Sequence, residues 1–236
     1  MLRLFNTKKS IEQTGILTGF VDRHTHLLPA VDDGFPTAEK SLEAIARMEQ
    51  AGVAEVWLTP HIMEDYPNTT DALRSRFDDL GNAYTGKVQL RLAAEYMIDS
   101  LFLERWGKRD LLTMGEKNVL VETRCLFPPM EMEGVLGEML NAGYRPILAH
   151  PERYRYMDKA RYRRIKGMGV KFQLNLGSVV GGYGKEARNK AEWLLEEGMY
   201  DLMGSDVHTL RFYDNMVSMP LPASVAKRIA AIPNQL

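Results

Sequence analysis

The chain has 236 residues, 45% hydrophobic and 26% charged, with a formal net charge of -1. That length and apolar content suffice to bury a core, and the near-neutral balance argues against binding nucleic acid through overall positive charge. The single cysteine, Cys125, excludes an intrachain disulfide, and no stretch approaches the roughly 20 apolar residues of a membrane span.

In chain order, residues 1–17 read as an N-terminal extension. They lack the continuous apolar stretch and small-residue cleavage site of a secretory signal, so the protein is expected to be cytoplasmic, without membrane insertion. A first strand is expected over 19–24. A helix follows over 37–50, with Thr37 suited to cap it and Leu42, Ile45 and Met48 marking one face. Then come a strand over 55–59, a helix over 70–84, strands over 89–94 and 118–122, and a helix over 133–141. A strand over 146–149, a helix over 159–168, a strand over 171–175, a helix over 185–197 and a strand over 201–205 complete the pattern. Gly52, Gly86, Gly143, Gly169 and Gly198 are placed to end helices. Beyond 212 the prolines Pro220, Pro222 and Pro233 interrupt the chain, and only 223–231 reads as helical. Regular strand–helix alternation predicts an α/β fold with a parallel sheet and outer helices. Seven such units favour a closed β/α barrel over an open sheet, in a single domain spanning 1–236.

All five histidines, His24, His26, His61, His150 and His208, fall at or just past the end of an expected strand. In a β/α barrel that rim is where catalytic groups gather. His24 and His26 are two apart, so on a strand their imidazoles share one side. Asp206 and His208 repeat that spacing. Glu95 and Glu122 each close an apolar run, where a lone buried charge is costly unless a cation offsets it. Asp32-Asp33-Gly34 follows the first strand and reads locally as a turn. One such histidine is weak evidence, but five together with three matching carboxylates point to bound divalent ions. Mixed imidazole and carboxylate donors suit Mn, Zn or Fe. Clustered ions lower the pKa of bound water, giving hydroxide at neutral pH, and neutralise phosphoryl charge.

Arg153 stands three residues after His150 and Arg211 three after His208, where guanidinium groups can grip phosphate oxygens. Arg153 to Lys166 holds seven basic residues and one acid, a solvated helix face or an attractor for an anionic substrate. Other phosphate chemistries fail on the residues. Glu131, not arginine, stands six positions after Cys125, Gly184-Lys185 is followed by Glu186, and no G-x-S-x-G occurs.

The motifs D-x-H-T-H-L-L-P-A-V-D-D-G from Asp22, T-P-H at His61, A-E-Y at Glu95, A-H-P-E-R-Y at His150, L-N-L-G-S from Leu174, G-Y-G-K from Gly182 and G-S-D-V-H at His208 together resemble the PHP (polymerase and histidinol phosphatase) superfamily. Within it they resemble the bacterial capsule- and exopolysaccharide-operon protein-tyrosine phosphatases. The resemblance runs from about Phe20 to Arg211. It implies a distorted seven-stranded barrel holding two or three divalent ions, commonly manganese. By resemblance, His24, His26, Glu95 and Asp206 hold one ion, Glu95, Glu122 and His150 a second, and Asp33, His61 and His208 a third, while Arg153 and Arg211 bind the phosphate. The implied substrate is phosphotyrosine in the tail of a bacterial tyrosine autokinase of polysaccharide synthesis, and a homo-oligomer is compatible with it. Arg23 departs from the usual apolar residue at that position, and the tail after Arg211 is short. Two other readings stay open at this level: a phosphoesterase for a small molecule such as histidinol phosphate, and a non-catalytic, metal-bound regulatory partner.

Overall fold

The computed structural model describes residues 9–129 and 131–236; the first part of the N-terminal extension, 1–8, lies outside the described residues. In chain order the elements are β1 (Lys9–Ser10), β2 (Phe20–Thr25), α1 (Ala38–Gln50), β3 (Val53–Leu58), β4 (His61–Ile62), α2 (Thr70–Ala83), β5 (Gln89–Leu92), β6 (Glu95–Met97) and α3 (Ser100–Lys108). They continue with β7 (Asn118–Glu122), α4 (Met132–Asn141), β8 (Arg145–Ala149), α5 (Lys159–Gly167), β9 (Lys171–Asn175), α6 (Leu176–Val179), α7 (Gly184–Glu196), β10 (Leu202–Gly204), α8 (Leu210–Ser218), β11 (Pro220–Leu221) and α9 (Ala223–Ala230).

The strand pairings are parallel apart from β1 with β11. One sheet runs β10-β9-β8-β7-β6-β4 and a second runs β2-β3-β5. The break between them falls at Thr59-Pro60 on one side and Ala93-Ala94 on the other. Proline has no N–H for the ladder, which accounts for the first interruption. The Ala93 N–H to Leu58 O bond, 2.9 Å, extends the β3–β5 ladder, and the Glu95 N–H to Pro60 O bond, 3.1 Å, opens the β4–β6 ladder, so the same two chain segments pass from one sheet into the other. At the opposite margins, Asp206 N–H donates to His24 O at 2.7 Å and His26 N–H to Val207 O at 3.0 Å. Hydrogen bonds therefore join the two sheets at the β2 and β10 margins, and continuous chain links them at the other side.

Strands covered on both faces should read as unbroken apolar runs. β7, with sequence Asn-Val-Leu-Val-Glu, is buried at every residue. Alternation sorts its side chains. Leu120 packs inside with Ile147, Ala149, Leu202 and Trp57, whereas Val119 and Val121 belong to the larger core beneath the helices. Glu122, two beyond Leu120, points to the same inner side. The register of β2 against β3 shifts between Asp22 and Thr25, so simple alternation does not sort these residues. Arg23 is buried beside Trp57 of the inner cluster, 5.8 Å from its ring centre, donates to Asn234 O at 3.0 Å and lies 3.6 Å from Glu55, tying the chain's last residues to β2 and β3.

Three helices not expected from the sequence are present, the four-residue α6 among them. α3 is capped by Asp99, which accepts from Phe102 N–H, and α8 by Thr209, which accepts from Phe212 N–H. The prolines after 212 stop α8 without preventing it: Tyr213, Met216 and Val217 form a buried i, i+3, i+4 stripe, and Pro220 and Pro222 come after its end. Gly52, Gly143, Gly169 and Gly198 follow their helices with positive φ as expected, but α2 ends at Ala83 with Tyr84 extended, so Gly86 caps nothing. Among the described residues no helix is long and apolar enough to cross a membrane.

Candidate metal centre

β2 carries Asp22 and His24, and His26 follows just past its end. All three are buried. His24 Nδ1 lies 3.0 Å from Gln173 Oε1, and that oxygen also accepts from His150 N–H at 3.3 Å. The shared oxygen makes the His24 Nδ1 the donor, leaving a lone pair on Nε2. His26 is held in the same way: its Nδ1 donates to Asp32 Oδ2 at 2.8 Å, and Asp32 also accepts from Gly34 N–H and His61 N–H. The two Nε2 atoms consequently face each other at 3.1 Å.

Two carboxylates close on that pair. Glu95 Oε2 lies 3.1 Å from His24 Nε2 and 3.4 Å from His26 Nε2, and Asp206 Oδ1 lies 3.3 Å from each. Donors around an ion at about 2.1 Å sit roughly 3.0 to 3.4 Å apart, so these four atoms have the spacing of one coordination shell. Glu95 Oε2 is buried without a hydrogen-bond partner, and the nearest atoms are imidazole nitrogens. A cation satisfies this cluster of lone pairs, so the residues fit the ions expected of them.

Two further groups adjoin the first. His61 presents Nδ1 to Glu95 Oε2 at 3.2 Å and to Glu122 Oε1 at 3.3 Å, and presents Nε2 to Asp33 Oδ1 at 3.6 Å. His208 Nε2 lies 3.4 Å from Asp33 Oδ1. His150 Nε2 lies 3.0 Å from Glu95 Oε1 and 3.7 Å from Glu122 Oε2. Three sets result whose ligand atoms all lie within 4.8 Å of one another: His24, His26, Glu95 and Asp206; His61, Glu95 and Glu122; His26, Asp33, His61 and His208. Eight of the nine residues expected from the sequence fall in these sets, and His150, 3.0 Å from Glu95, adjoins them. The differences from the expected grouping are that His61 rather than His150 completes the set of Glu95 and Glu122, and that His26 joins Asp33, His61 and His208.

Local geometry supplies the convergence. His150 and Asp206 take positive φ, 33° and 54°, rare for residues with side chains. Each chain reversal directly after a strand turns the side chain back over the end of the sheet, and such strain gathers at functional sites. Gly34 is needed because a Cβ there would lie 2.1 Å from His26 O.

The electrostatics follow from burial. Burial, then the nearby Glu95 charge, push the Glu122 carboxyl well above the usual carboxylate range. Burial alone would lower the His26 imidazole, but Asp32 and bonds to Asp206 and Glu95 hold it well above its ordinary value. Burial, then the charge of His26, lower His61 to about 4; burial, then Arg153, do the same to His150, so both are neutral ligands at physiological pH. The bond from His208 holds Asp33 down at about 2.

Arg153 lies at the edge of the cluster, donating from Nη1 to Asp206 Oδ2 at 2.7 Å. Arg211 is exposed in the first turn of α8 and makes no ion pair among the described residues. Four positioning residues escaped sequence reading: Asp32, Gln173, Asn175, which donates to Asp206 Oδ2 at 2.9 Å, and Tyr183, whose hydroxyl lies 3.4 Å from the same oxygen. Asp32 had a usable signal, since a carboxylate six residues past a candidate ligand is a natural imidazole partner. Gln173 and Asn175 had only their place on an otherwise apolar strand.

The profile of the capsular polysaccharide synthesis CpsB/CapC family matches residues 20–215. The chain is 27% identical over 198 residues to the tyrosine-protein phosphatase YwqE of Bacillus subtilis, covering 81% of this chain and 78% of that one. It is 24% identical over 198 residues to the putative tyrosine-protein phosphatase CapC of Staphylococcus aureus, covering 80% and 77%. It superposes with a TM-score of 0.73 and 25% identity on a chain from the crystal structures of YwqE from Bacillus subtilis and CpsB from Streptococcus pneumoniae, unique metal-dependent tyrosine phosphatases, covering 92% of this chain and 96% of that one. The matched span runs from the strand bearing His24 through the turn bearing His208, and so takes in every residue of the cluster: the chain belongs to the capsular polysaccharide synthesis CpsB/CapC family.

Proposed function

We propose that the protein is a metal-dependent protein-tyrosine phosphatase acting on a tyrosine autokinase of capsular or exopolysaccharide synthesis, in the cytoplasm. The carrying observation is the buried Glu95 carboxylate, which faces His24, His26, His61 and His150 at 3.0–3.4 Å and joins two ligand sets. Family membership and the phosphatase activity named for its relatives support the same reading. The whole chain 1–236 is read as one domain, its seven parallel strands closing as a distorted barrel with the cluster at its mouth.

In this reading His24, His26, Glu95 and Asp206 hold one ion, Glu95, Glu122 and His150 a second, and Asp33, His61 and His208 a third, with manganese the preferred metal. When bound, the ions supply an activated water and neutralise charge on the phosphoryl group. The protein's own residues do the rest. Asp32 and Gln173 fix the tautomers and ring planes of His26 and His24. Arg153, and Arg211 from α8, take phosphate oxygens as planar double donors. Phenolate is a good leaving group, with a pKa of about 10, so no side chain need donate a proton in the step. No cysteine nucleophile is used: Cys125 is half-buried and its thiol is pushed up by burial.

Hydrolysis of p-nitrophenyl phosphate and a phosphotyrosine peptide, with and without Mn²⁺, tests the reading alongside His24→Ala and Arg153→Ala. Manganese-dependent turnover that falls by roughly 100-fold or more in both variants is expected. No turnover with any divalent ion would refute it and favour a non-catalytic, metal-bound partner.

A further inference from the structure

The basic run that begins at Arg153 is mostly consumed by other elements. Arg161 and Arg164 bond Glu133, Arg163 bonds Glu197 and Lys166 bonds Asp201. Arg155 is different. Its backbone N–H donates to Cys125 O at 2.8 Å, and its exposed side chain makes no ion pair among the described residues. It lines a cavity of about 340 Å³ together with Arg153, Tyr183, Cys125 and Lys185. Lys185 is likewise exposed and unpaired among the described residues.

Two residues that line this cavity also contact the metal centre. Arg153 and Tyr183 both line it, and both reach Asp206 Oδ2, at 2.7 and 3.4 Å. The Arg153 guanidinium lies 4.4 Å from the Tyr183 ring centre, which fixes the pair as one wall. Two carboxylates also line the cavity, and neither offsets its charge. Glu152 is buried and accepts from Asn175 N–H and Tyr200 OH, and Glu186 is engaged by Lys190 at 3.2 Å. The first turn of α7 continues that wall from Tyr183, its N-cap, which gives no side-chain bond to the helix amides. Those amides add positive potential to that of the two free cations. Leu126 and Phe127, 53% and 74% exposed, follow Cys125 at the rim and offer apolar contact to a chain lying across it.

We propose that the cavity between Arg155 and Lys185 is a second anionic subsite, which takes the carboxylate of an Asp or Glu flanking the phosphotyrosine of a peptide substrate. This rests on the phosphatase reading above. The two cations make the discrimination between substrates, while Arg153, shared by both pockets, registers one against the other. Exposed charge pairs act mainly through binding and are screened by salt, so the preference belongs in KM and fades at high ionic strength.

The test uses two phosphotyrosine peptides that differ only by Glu or Gln at the positions flanking the phosphotyrosine, with the full, manganese-loaded protein. Within each enzyme the ratio of kcat/KM for the two peptides is measured, so a general loss of activity cancels. The wild type is expected to favour the Glu peptide by about tenfold, through KM, and the Arg155→Gln/Lys185→Gln variant by less than about twofold. An equal response of the wild type to the two peptides, or a preference that survives the double substitution, overturns the subsite. Labelled-peptide anisotropy separates this from failure of the phosphatase reading. Tighter, Arg155-dependent binding of the Glu peptide without turnover would sink the activity and keep the subsite; turnover without discrimination would do the reverse.

Discussion

Arg153 Nη1 donates to Asp206 Oδ2 at 2.7 Å, while Asp206 Oδ1 faces the Nε2 atoms of His24 and His26 at 3.3 Å. One carboxylate thus links the ion-binding side of the centre to the group proposed to grip phosphate. Arg153→Lys keeps the charge but not the planar fork, and is expected to lower kcat/KM for a phosphotyrosine peptide about 100-fold. Arg153→Ala should cost roughly a further tenfold, with metal content by mass spectrometry still close to wild type. Loss of the ions in Arg153→Ala would instead assign Arg153 to holding Asp206 in place.

Asp32 accepts from His26 Nδ1 and from the backbone of Gly34 and His61. An amide in its place must turn a donor toward at least one of these N–H groups. Asp32→Asn is therefore expected to weaken Mn²⁺ affinity by about 10- to 100-fold, measured by competition with a chelator, although Asp32 belongs to none of the three ligand sets. Unchanged affinity would mean that His26 is oriented by packing alone.

A Cβ on Gly204 would lie 2.5 Å from His24 Cβ and 2.9 Å from Gln173 Nε2. Gly204→Ala must push the His24 strand aside and should destabilise the fold by about 1–3 kcal/mol, with manganese-dependent activity lost together with melting temperature. Gly107, within α3, meets nothing within 4 Å. Gly107→Ala should raise stability by about 0.5–1 kcal/mol in the same melts. A neutral Gly204→Ala would contradict the close approach of β2 to β10.

Without ions, Glu122 and His26 are both held well above their ordinary pKa values, the first by burial and Glu95, the second by Asp32 and its carboxylate neighbours against the effect of burial. Both therefore keep a proton to higher pH than the free side chains do. A ligand must be deprotonated, so ion binding expels these protons and apparent Mn²⁺ affinity rises with pH. Calorimetric titration in buffers of different ionisation enthalpy should show net proton release near pH 7, and chelation should lower the melting temperature. Proton uptake on binding would reverse the assignment.

Much of this was legible in the residues. Apolar strands alternating with capped, amphipathic helices are local signals, and the two-residue spacing put the His24 and His26 imidazoles on one side. The five histidines could be assigned to strand ends because each falls at or just past the end of an expected strand. α8 was missed because its proline-rich surroundings masked a three-residue buried stripe, and Asp32 because a two-aspartate turn has the same local signature whether or not it orients a ligand.

What the tertiary structure alone decided is who meets whom. The strand break at Pro60 turns His61 so that one nitrogen reaches Glu95 and Glu122 and the other Asp33. The register of β9 beside β8 and β10 sets Gln173 against His24 and Asn175 against Asp206. The positive φ at His150 and Asp206 folds two side chains back over the site. Sequence patterns report the burial and period of a single segment. The distances among donors from six different strands depend on inter-strand register and on a few costly backbone turns, and these are set only when the two sheets come together.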